Sequence, residues 1–295
     1  MQFDVNENNI PLQKIEANFL TQKNVALFIL REDLIHPTIS GNKWRKLKYN
    51  IIEAKEKGFD TLVTFGGAFS NHIAATAAAG NAFGLKTVGI IRGEKVSNAT
   101  LDLAIENGMQ LKFISREDYK HKNTSQYSDC YIIPEGGSNA LAVKGCSEIV
   151  KNINIDYDII CCACGTGGTI AGIISSTDRQ VLGFSALKGG GGLIEDIQKL
   201  LSDYSPKKEY KNWSLITDYH FGGYAKVKPE LIDFIRDFKV KHNIILDFIY
   251  TGKMLFGLFD MIKNTNQLDN KRIIVVHTGG VQGNKGFEER FGITL

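Results

Sequence analysis

The sequence is short of cysteine, of net charge and of long apolar runs. Its 295 residues include five cysteines, an odd number that argues against a disulfide framework. The net charge is only +3 and no dense block of Lys and Arg occurs, which excludes the basic surface typical of nucleic-acid-binding proteins. No apolar run is long enough to span a bilayer, and the first ten residues lack the charged start and apolar core of a signal peptide. We therefore expect a cytoplasmic protein without a membrane or nucleic-acid partner.

The cysteines also give little support to a metal centre. Cys161 and Cys164 form one C-x-x-C pair, but the chain has no second pair of this kind and no histidine at the spacing of a zinc finger. The pair ends an apolar run, YDIICCAC. We therefore interpret these cysteines as small buried residues of a strand and predict no metal site.

The chain does contain a regular alternation of apolar strand-like runs and helix-like segments. Hydrophobic residues make up 43% and charged residues 23%, as in a soluble protein with one large or two medium lobes. The strand candidates are 24–31, 61–65, 86–91, 110–114, 131–133, 157–164, 180–187, 215–219 and 272–277. The helix candidates begin at residues 43, 70, 98, 139, 170, 193, 229 and 254. This alternation predicts an α/β fold with mostly parallel sheets in doubly wound lobes.

A glycine-rich turn follows the strongest strand candidate and leads into a helix. Gly165-Thr166-Gly167-Gly168-Thr169 has the form of a phosphate-binding loop, in which free backbone N–H groups converge on an anion. The dinucleotide pattern G-x-G-x-x-G fails at Ile170, and a Walker A motif fails because Met254 follows Gly252-Lys253. The turn therefore indicates a smaller phosphorylated ligand, and the alternative is a tight turn that binds nothing.

Lys43 stands at a junction between a loop and a helix, in the sequence Gly41-Asn42-Lys43-Trp44-Arg45-Lys46. A lysine held in a dry site can lose its proton and attack a carbonyl to form a Schiff base. The alternative interpretation is a solvated basic helix start. Other candidates fall where parallel strands end, the edge at which such sheets bind ligands: Ser70, Thr166, Gly167 and Thr278-Gly279-Gly280.

Taken together, these motifs resemble the pyridoxal-phosphate (PLP) enzymes of the 1-aminocyclopropane-1-carboxylate deaminase and D-cysteine desulfhydrase family, which have the tryptophan synthase β fold (fold type II). The resemblance runs from about residue 31 to 280. It rests on GNKWRK (41–46), GGAFSNH (66–72), IPEGGSN (133–139), the glycine loop, FGGYA (221–225), YTGK (250–253) and HTGG (277–280). It implies PLP in a cleft between two lobes: a large one of residues 1–46 plus 136–295, and a smaller one of residues 47–135 inserted in it.

The resemblance also implies roles for individual residues. Lys43 would bind the cofactor covalently and move the substrate proton, and Lys46 would reach the cofactor phosphate. Asn71 would bond the pyridine 3-hydroxyl, and Ser70 with Asn71-His72 would hold the substrate carboxylate. The remaining roles are the phosphate cradle of Gly165, Thr166, Gly167, Gly168 and Thr169, the substrate-side tyrosines Tyr224 and Tyr250, and Thr251 facing the pyridine nitrogen.

Each of these roles has a structural alternative. Asn71 is also a good helix N-cap, and His72 would then be oriented by packing alone. Tyr224 and Tyr250 would be core residues with satisfied hydroxyls. The YTGK segment would simply begin a helix.

The predicted activity is that of a PLP-dependent lyase or deaminase that releases ammonia and a 2-keto acid from a small amino acid. In the family that this chain resembles, ring-opening deaminases have glutamate in place of Thr251 and glutamine in place of His72, whereas desulfhydrases have Tyr-Thr-Gly-Lys. We therefore favour β-elimination from a D-amino acid such as D-cysteine over ring opening of aminocyclopropane carboxylate. The other alternative is a PLP-binding protein without turnover. A homodimer is implied by the resemblance alone.

Overall fold

The computed structural model describes residues 5–39 and 41–295. Residues 1–4 and Ser40, which the sequence assigns to the larger lobe, lie outside the described residues. The described chain contains the strands β1 Leu12–Ile15, β2 Ala26–Leu30, β3 Thr61–Gly66, β4 Lys86–Arg92, β5 Gln110–Ile114, β6 Tyr131–Ile133, β7 Ile159–Cys164, β8 Gln180–Ser185, β9 Trp213–Ile216 and β10 Arg272–Val276.

Helices alternate with these strands along the described chain. They are α1 Asn18–Gln22, α2 Asn42–Glu56, α3 Asn71–Phe83, α4 Ala99–Glu106, α5 Arg116–His121, α6 Ala140–Cys146, α7 Gly168–Ser176, α8 Gly191–Tyr204, α9 Pro229–His242, α10 Thr251–Asn264 and α11 Asn284–Phe291. None of the helices described by the structure is both long and apolar enough to cross a membrane.

The strands form two sheets, and both are mostly parallel. The larger has the order β1-β2-β10-β7-β8-β9, in which only β1 is antiparallel to its neighbour. The smaller has the order β5-β4-β3-β6 and is parallel throughout. Parallel strands need helical crossovers that cover both faces of the sheet, so their residues are buried on both sides. The predicted α/β class with two mostly parallel sheets is confirmed.

Strand β7 shows why this chain forms a buried parallel strand. All six of its residues are buried, so the run has no alternation of polar and apolar positions. Its three cysteines are free thiols in the core, as predicted. Strand β1 was missed, because only Ile15 of its four residues LQKI is buried and the run carries little pattern. The strand predicted at 215–219 lies instead at Trp213–Ile216.

The smaller sheet comes from one continuous stretch, since β3 to β6 lie between Thr61 and Ile133. The predicted division of the chain at residues 46/47 and 135/136 stays a prediction. Helix α2 runs through the first of these boundaries and packs against both α3 and α6. It therefore links the two parts of the structure that carry the sheets.

Candidate active site

A cavity of about 330 Å³ lies between the two sheets, at the carboxyl ends of their strands. It brings together residues that are far apart in the sequence. The predicted site residues on its wall are Lys43, Lys46, Ser70, Asn71, His72, Gly165, Thr166, Gly167, Thr169, Tyr224 and Tyr250. Gly168 and Thr251 are not on the wall. The predicted roles of all of these site residues stay predictions. The residues of Thr278-Gly279-Gly280 also line it.

Lys43 lies in the first turn of α2 because of the glycine that precedes the helix. Gly41 has a φ of +61°, and a Cβ there would lie 2.0 Å from the carbonyl oxygen of Thr278. Only glycine allows the backbone to approach the end of β10 this closely. The Asn42 N–H then donates to that same carbonyl at 3.1 Å. The start of α2 is therefore anchored to the ligand-binding edge of the larger sheet.

The amine of Lys43 is held by a short chain of hydrogen bonds. Its Nζ donates to Asn42 Oδ1 at 2.8 Å, and Asn42 Nδ2 donates to Thr169 Oγ1 at 2.8 Å. Burial, and then the charge of Lys46, lower the pKa of Lys43 to about 7. A large share of the neutral amine, the form that attacks carbonyls, is therefore present near neutral pH.

Lys46 lies one helical turn further on and points at the glycine loop. Its Nζ donates to the Gly136 carbonyl at 2.8 Å and to Ser138 Oγ at 3.0 Å, and lies 3.4 Å from Thr166 Oγ1. Burial lowers its pKa. Neither Lys46 nor Lys43 forms an ion pair within the described part of the chain. The buried amine of Lys46 and the partly buried amine of Lys43, both without a carboxylate partner among the described residues, make this end of the cavity suited to an anion.

The glycine loop provides backbone donors beside Lys46. Helix α7 begins at Gly168, so its free N–H groups face the cavity end that holds Lys46. A Cβ at Gly168 would lie 2.7 Å from Ser138 Oγ and 3.2 Å from Lys46 Cε. Gly167 needs to be glycine for a different reason, since its φ is +79° and a Cβ would meet Ile197 of α8 at 2.8 Å. The loop, Lys46 and Ser138 therefore form one compact anion cradle.

Ser70 and Asn71 begin helix α3 on the opposite wall. Ser70 Oγ accepts a hydrogen bond from the Ile73 N–H at 3.4 Å, so Ser70 and not Asn71 is the N-cap of α3. Asn71 is only 8% exposed, and its Oδ1 has no hydrogen-bond partner among the described residues. A buried polar atom of this kind is costly unless a ligand pairs with it.

The environment of His72 determines its tautomer. Thr64 Oγ1 donates its only proton to the Ile133 carbonyl at 2.9 Å, so it must accept a hydrogen bond from His72 Nε2 at 2.8 Å. His72 Nδ1 is then a bare acceptor with no partner among the described residues. Burial, followed by the charges of Lys43 and Lys46, lowers the pKa of His72 well below its usual value. The ring is therefore a neutral acceptor at the cavity wall.

Tyr224 and Tyr250 form the remaining wall. Their rings meet edge to face with centroids 6.3 Å apart. Burial raises the pKa of Tyr250 well above its usual value, so its hydroxyl stays protonated and can donate. Asp247 caps α10, because its carboxylate accepts from the N–H groups of Ile249, Tyr250 and Thr251 at 2.7–2.9 Å.

Thr251 is fully buried, and its Oγ1 donates to Asp247 Oδ1 at 2.7 Å. Its hydroxyl proton is therefore already engaged by this capping carboxylate. The sequence analysis missed Asp247, and also Asn42 and Ser138, although the last two lie inside or beside motifs that it did identify.

These features define a class of protein. An α/β fold with two mostly parallel sheets places a partly buried, readily deprotonated lysine in the same cavity as an anion cradle and an unpaired acceptor at Asn71. This combination fits an enzyme that carries a phosphorylated carbonyl cofactor on Lys43.

Comparison with known proteins agrees with this class. A family model described as pyridoxal-phosphate dependent enzyme matches residues 5–279. A putative 1-aminocyclopropane-1-carboxylate deaminase of Thermotoga maritima is 33% identical over 96% of this chain and 97% of that protein. A mitochondrial bifunctional D-cysteine desulfhydrase/1-aminocyclopropane-1-carboxylate deaminase of Arabidopsis thaliana is 31% identical over 87% of this chain and 73% of that protein. A crystal structure described as an ACC deaminase homologue has a TM-score of 0.83 and 27% identity, and covers 96% of this chain and 92% of that one.

The chain therefore belongs to the family of pyridoxal-phosphate dependent enzymes, and its cofactor is PLP. The predicted fold type II architecture is confirmed. The residues present fit this cofactor, because one cavity offers an amine for its aldehyde, a cradle for its phosphate and, on the opposite wall, the unpaired polar side chain of Asn71.

Proposed function

We propose that the protein is a PLP-dependent lyase or deaminase of small amino acids, with β-elimination from a D-amino acid such as D-cysteine as its preferred reaction. D-cysteine and water would give pyruvate, hydrogen sulfide and ammonia. The two relatives named above support this class of substrate. Lys43 would bind the cofactor, and the cradle of Lys46, Ser138 and the glycine loop would hold its phosphate.

The observation that carries the preference is the scarcity of carboxylates on the cavity wall. Among the described residues that line it, Glu135 is the one carboxylate, and its Oε2 lies 3.0 Å from Lys122 Nζ. PLP, when bound, supplies an electron sink for the substrate Cα, and a carboxylate beside its pyridine nitrogen strengthens that sink by keeping the nitrogen protonated. In the family that this chain resembles, ring-opening enzymes have a glutamate where this chain has Thr251, which offers no carboxylate at that position. Loss of a thiolate from Cβ needs a weaker electron sink than opening of a ring at an unactivated carbon does.

The residues of the wall suit the proton transfers of an elimination. The neutral amine of Lys43 can accept the proton of the substrate Cα. The N–H groups at the start of α3, with Ser70, would hold the substrate carboxylate. Tyr250, whose raised pKa keeps its hydroxyl protonated, can donate a hydrogen bond on the side where the β-substituent departs.

The test is a comparison of kcat/KM for D-cysteine, L-cysteine and aminocyclopropane carboxylate on one preparation of PLP-loaded enzyme. We expect keto acid release to be fastest from D-cysteine. Faster ammonia release from aminocyclopropane carboxylate would refute the preference and support the deaminase. If a panel of D- and L-amino acids gave no keto acid while the protein retained PLP, the chain would be a PLP-binding protein without turnover.

We also infer that the protein is a homodimer, on the basis of its resemblance to the family, and that it acts in the cytoplasm, as the sequence analysis predicts. Sedimentation equilibrium of the full chain measures the assembly directly. A mass near 33 kDa at micromolar concentration would contradict the dimer, because the chain itself has a mass of 32.7 kDa.

A further inference from the structure

The segment that carries Tyr224 has an unusual backbone. We call residues 219–225, which lie between β9 and α9, the Tyr224 loop. Phe221 and Ala225 both have a φ of 54°, and between them Gly222 and Gly223 have φ values of 100° and 118°. Glycine adopts such angles freely, but Phe and Ala do so at a cost and only where the surrounding structure compensates for it. The loop therefore needs contacts outside itself to keep Tyr224 in place.

Most of those contacts come from a single face of α10. Lys253, Phe256, Gly257 and Asp260 recur at spacings of three and four, so they lie on the same side of this helix. The ring of Phe256 packs edge to face on the ring of Phe221, with centroids 5.0 Å apart. A Cβ at Gly257 would lie 2.6 Å from the ring of Tyr219, so glycine is what lets that ring approach the helix. Asp260 Oδ2 accepts from the Tyr219 hydroxyl at 2.7 Å.

Lys253 makes the most central of these contacts. Its Nζ donates to the carbonyl of His220 at 3.0 Å and to the carbonyl of Gly223 at 2.8 Å. It is 2% exposed and forms no ion pair within the residues that the structure describes. Hydrogen bonds from a charged donor are about twice as strong as neutral ones. Two of them therefore fix the peptide groups on either side of the Phe221–Gly222 bend.

The same helix also positions the second tyrosine of the wall. Tyr250 is the N-cap residue of α10, and Lys253 lies in the first turn, three residues later. One rigid helix thus holds Tyr250 directly and Tyr224 through the loop. The edge-to-face arrangement of the two rings depends on both connections.

We propose that Lys253 is a positioning residue, whose ammonium group ties the Tyr224 loop to α10 and so keeps Tyr224 beside Tyr250 on the substrate side of the cavity. The effect on catalysis rests on the proposed function, in which this wall faces the amino-acid substrate. The effect on the loop is independent of the proposed function. Lys253 touches neither substrate nor cofactor in this arrangement, since it is not on the cavity wall.

The first test measures the loop itself, by hydrogen–deuterium exchange of peptides that cover residues 219–226 in the PLP-loaded enzyme. The amides of Gly223 and Lys226 are bonded within this segment at 3.0 and 3.2 Å, so they report its opening. Lys253→Met removes both bonds, and we expect exchange to accelerate by about tenfold or more. The control is Lys263→Met, at an exposed position near the other end of the same helix, for which we expect no change in this segment.

Additional variants keep the test decisive where Lys253→Met does not fold. Lys253→Gln keeps an uncharged donor and should give an intermediate rate, and Lys253→Arg should restore protection in part because it keeps the charge. Wild-type exchange rates at residues 219–226 in every folded variant would overturn the proposal.

The second test is a double-mutant cycle on kcat/KM. If Lys253 acts through Tyr224, Lys253→Met should lower kcat/KM by about tenfold in the wild-type background but by less than about twofold in Tyr224→Phe. Equal losses in both backgrounds would overturn the positioning role. An inactive wild-type enzyme would refute the proposed function, and the exchange experiment would then decide the loop tether by itself.

Discussion

The depressed pKa of Lys43 leads to a quantitative prediction about its reactivity. With a pKa of about 7, roughly half of the Lys43 amine is neutral at pH 7, whereas an ordinary lysine at 10.5 is neutral in only about one molecule in three thousand. The gain in reactive amine is therefore on the order of a thousandfold. Burial is the main cause and the charge of Lys46 the second. Removing the Lys46 charge should therefore raise the pKa of Lys43, because a neighbouring cation disfavours the protonated amine.

The assay is competitive acetylation of the cofactor-free protein by acetic anhydride between pH 6 and 10, with the extent of labelling at each lysine read by mass spectrometry. We expect the rate at Lys43 to reach half its maximum near pH 7, and this midpoint to move to higher pH in Lys46→Met. The matched control is Lys48→Met in the same helix, since Lys48 Nζ pairs outside the cavity with Glu7 at 2.6 Å and Glu148 at 2.9 Å. A wild-type midpoint above pH 9, or one that Lys46→Met leaves unmoved, would refute the reasoning.

Three further predictions concern the core and the cradle. Arg45→Met leaves the fully buried Glu32 without its partner at 3.0 Å, so it should lower the free energy of unfolding in urea by about 3–5 kcal/mol. The surface change Lys57→Met should alter this free energy by less than about 0.5 kcal/mol. A loss under about 1 kcal/mol for Arg45→Met would contradict the prediction. In the native protein only Cys130 should react with a thiol reagent within minutes, because the four cysteines of β7 and α6 are buried; a second fast thiol would disprove that packing. Thr169→Ala removes the acceptor that orients the side-chain amide of Asn42 beside Lys43, so PLP should bind about fivefold more weakly in a fluorescence titration. An unchanged dissociation constant would show that this chain of hydrogen bonds does not contribute to cofactor binding.

Local signals were enough to predict most of the elements and the backbone of the site. The glycine loop at 165–169 was recognised because a strand, a tight turn and a helix follow each other within a few residues. Ser70 could be placed at the start of a helix because capping depends on a side chain and an N–H three positions away. Strand β1 had no comparable signal, since only its antiparallel partner β2 defines it.

Sequence patterns could not predict the hydrogen bonds of the site, because these bonds join segments that are distant in the sequence. The bond between Asn42 and Thr169 spans 127 residues, and it exists because Gly41 lets α2 approach the end of β10. The tautomer of His72 depends on the Ile133 carbonyl, which reaches Thr64 only because β3 and β6 are neighbours in the smaller sheet. The sequence analysis assigned Thr251 to the cofactor without seeing that its hydroxyl proton goes to Asp247.

The sequence by itself thus determined the class of fold and the family resemblance, and it predicted the roles of Lys43 and of the glycine loop, since each of these depends on residue types at short spacing. The tertiary structure decided which side chains hold those groups, what charge they carry and which polar atoms are left for a ligand. The pKa of Lys43 is an example, because it follows from the burial of its amine and from the charge of Lys46 in the same cavity. Burial and the field of neighbouring charges are properties of the assembled fold, and no short segment contains them.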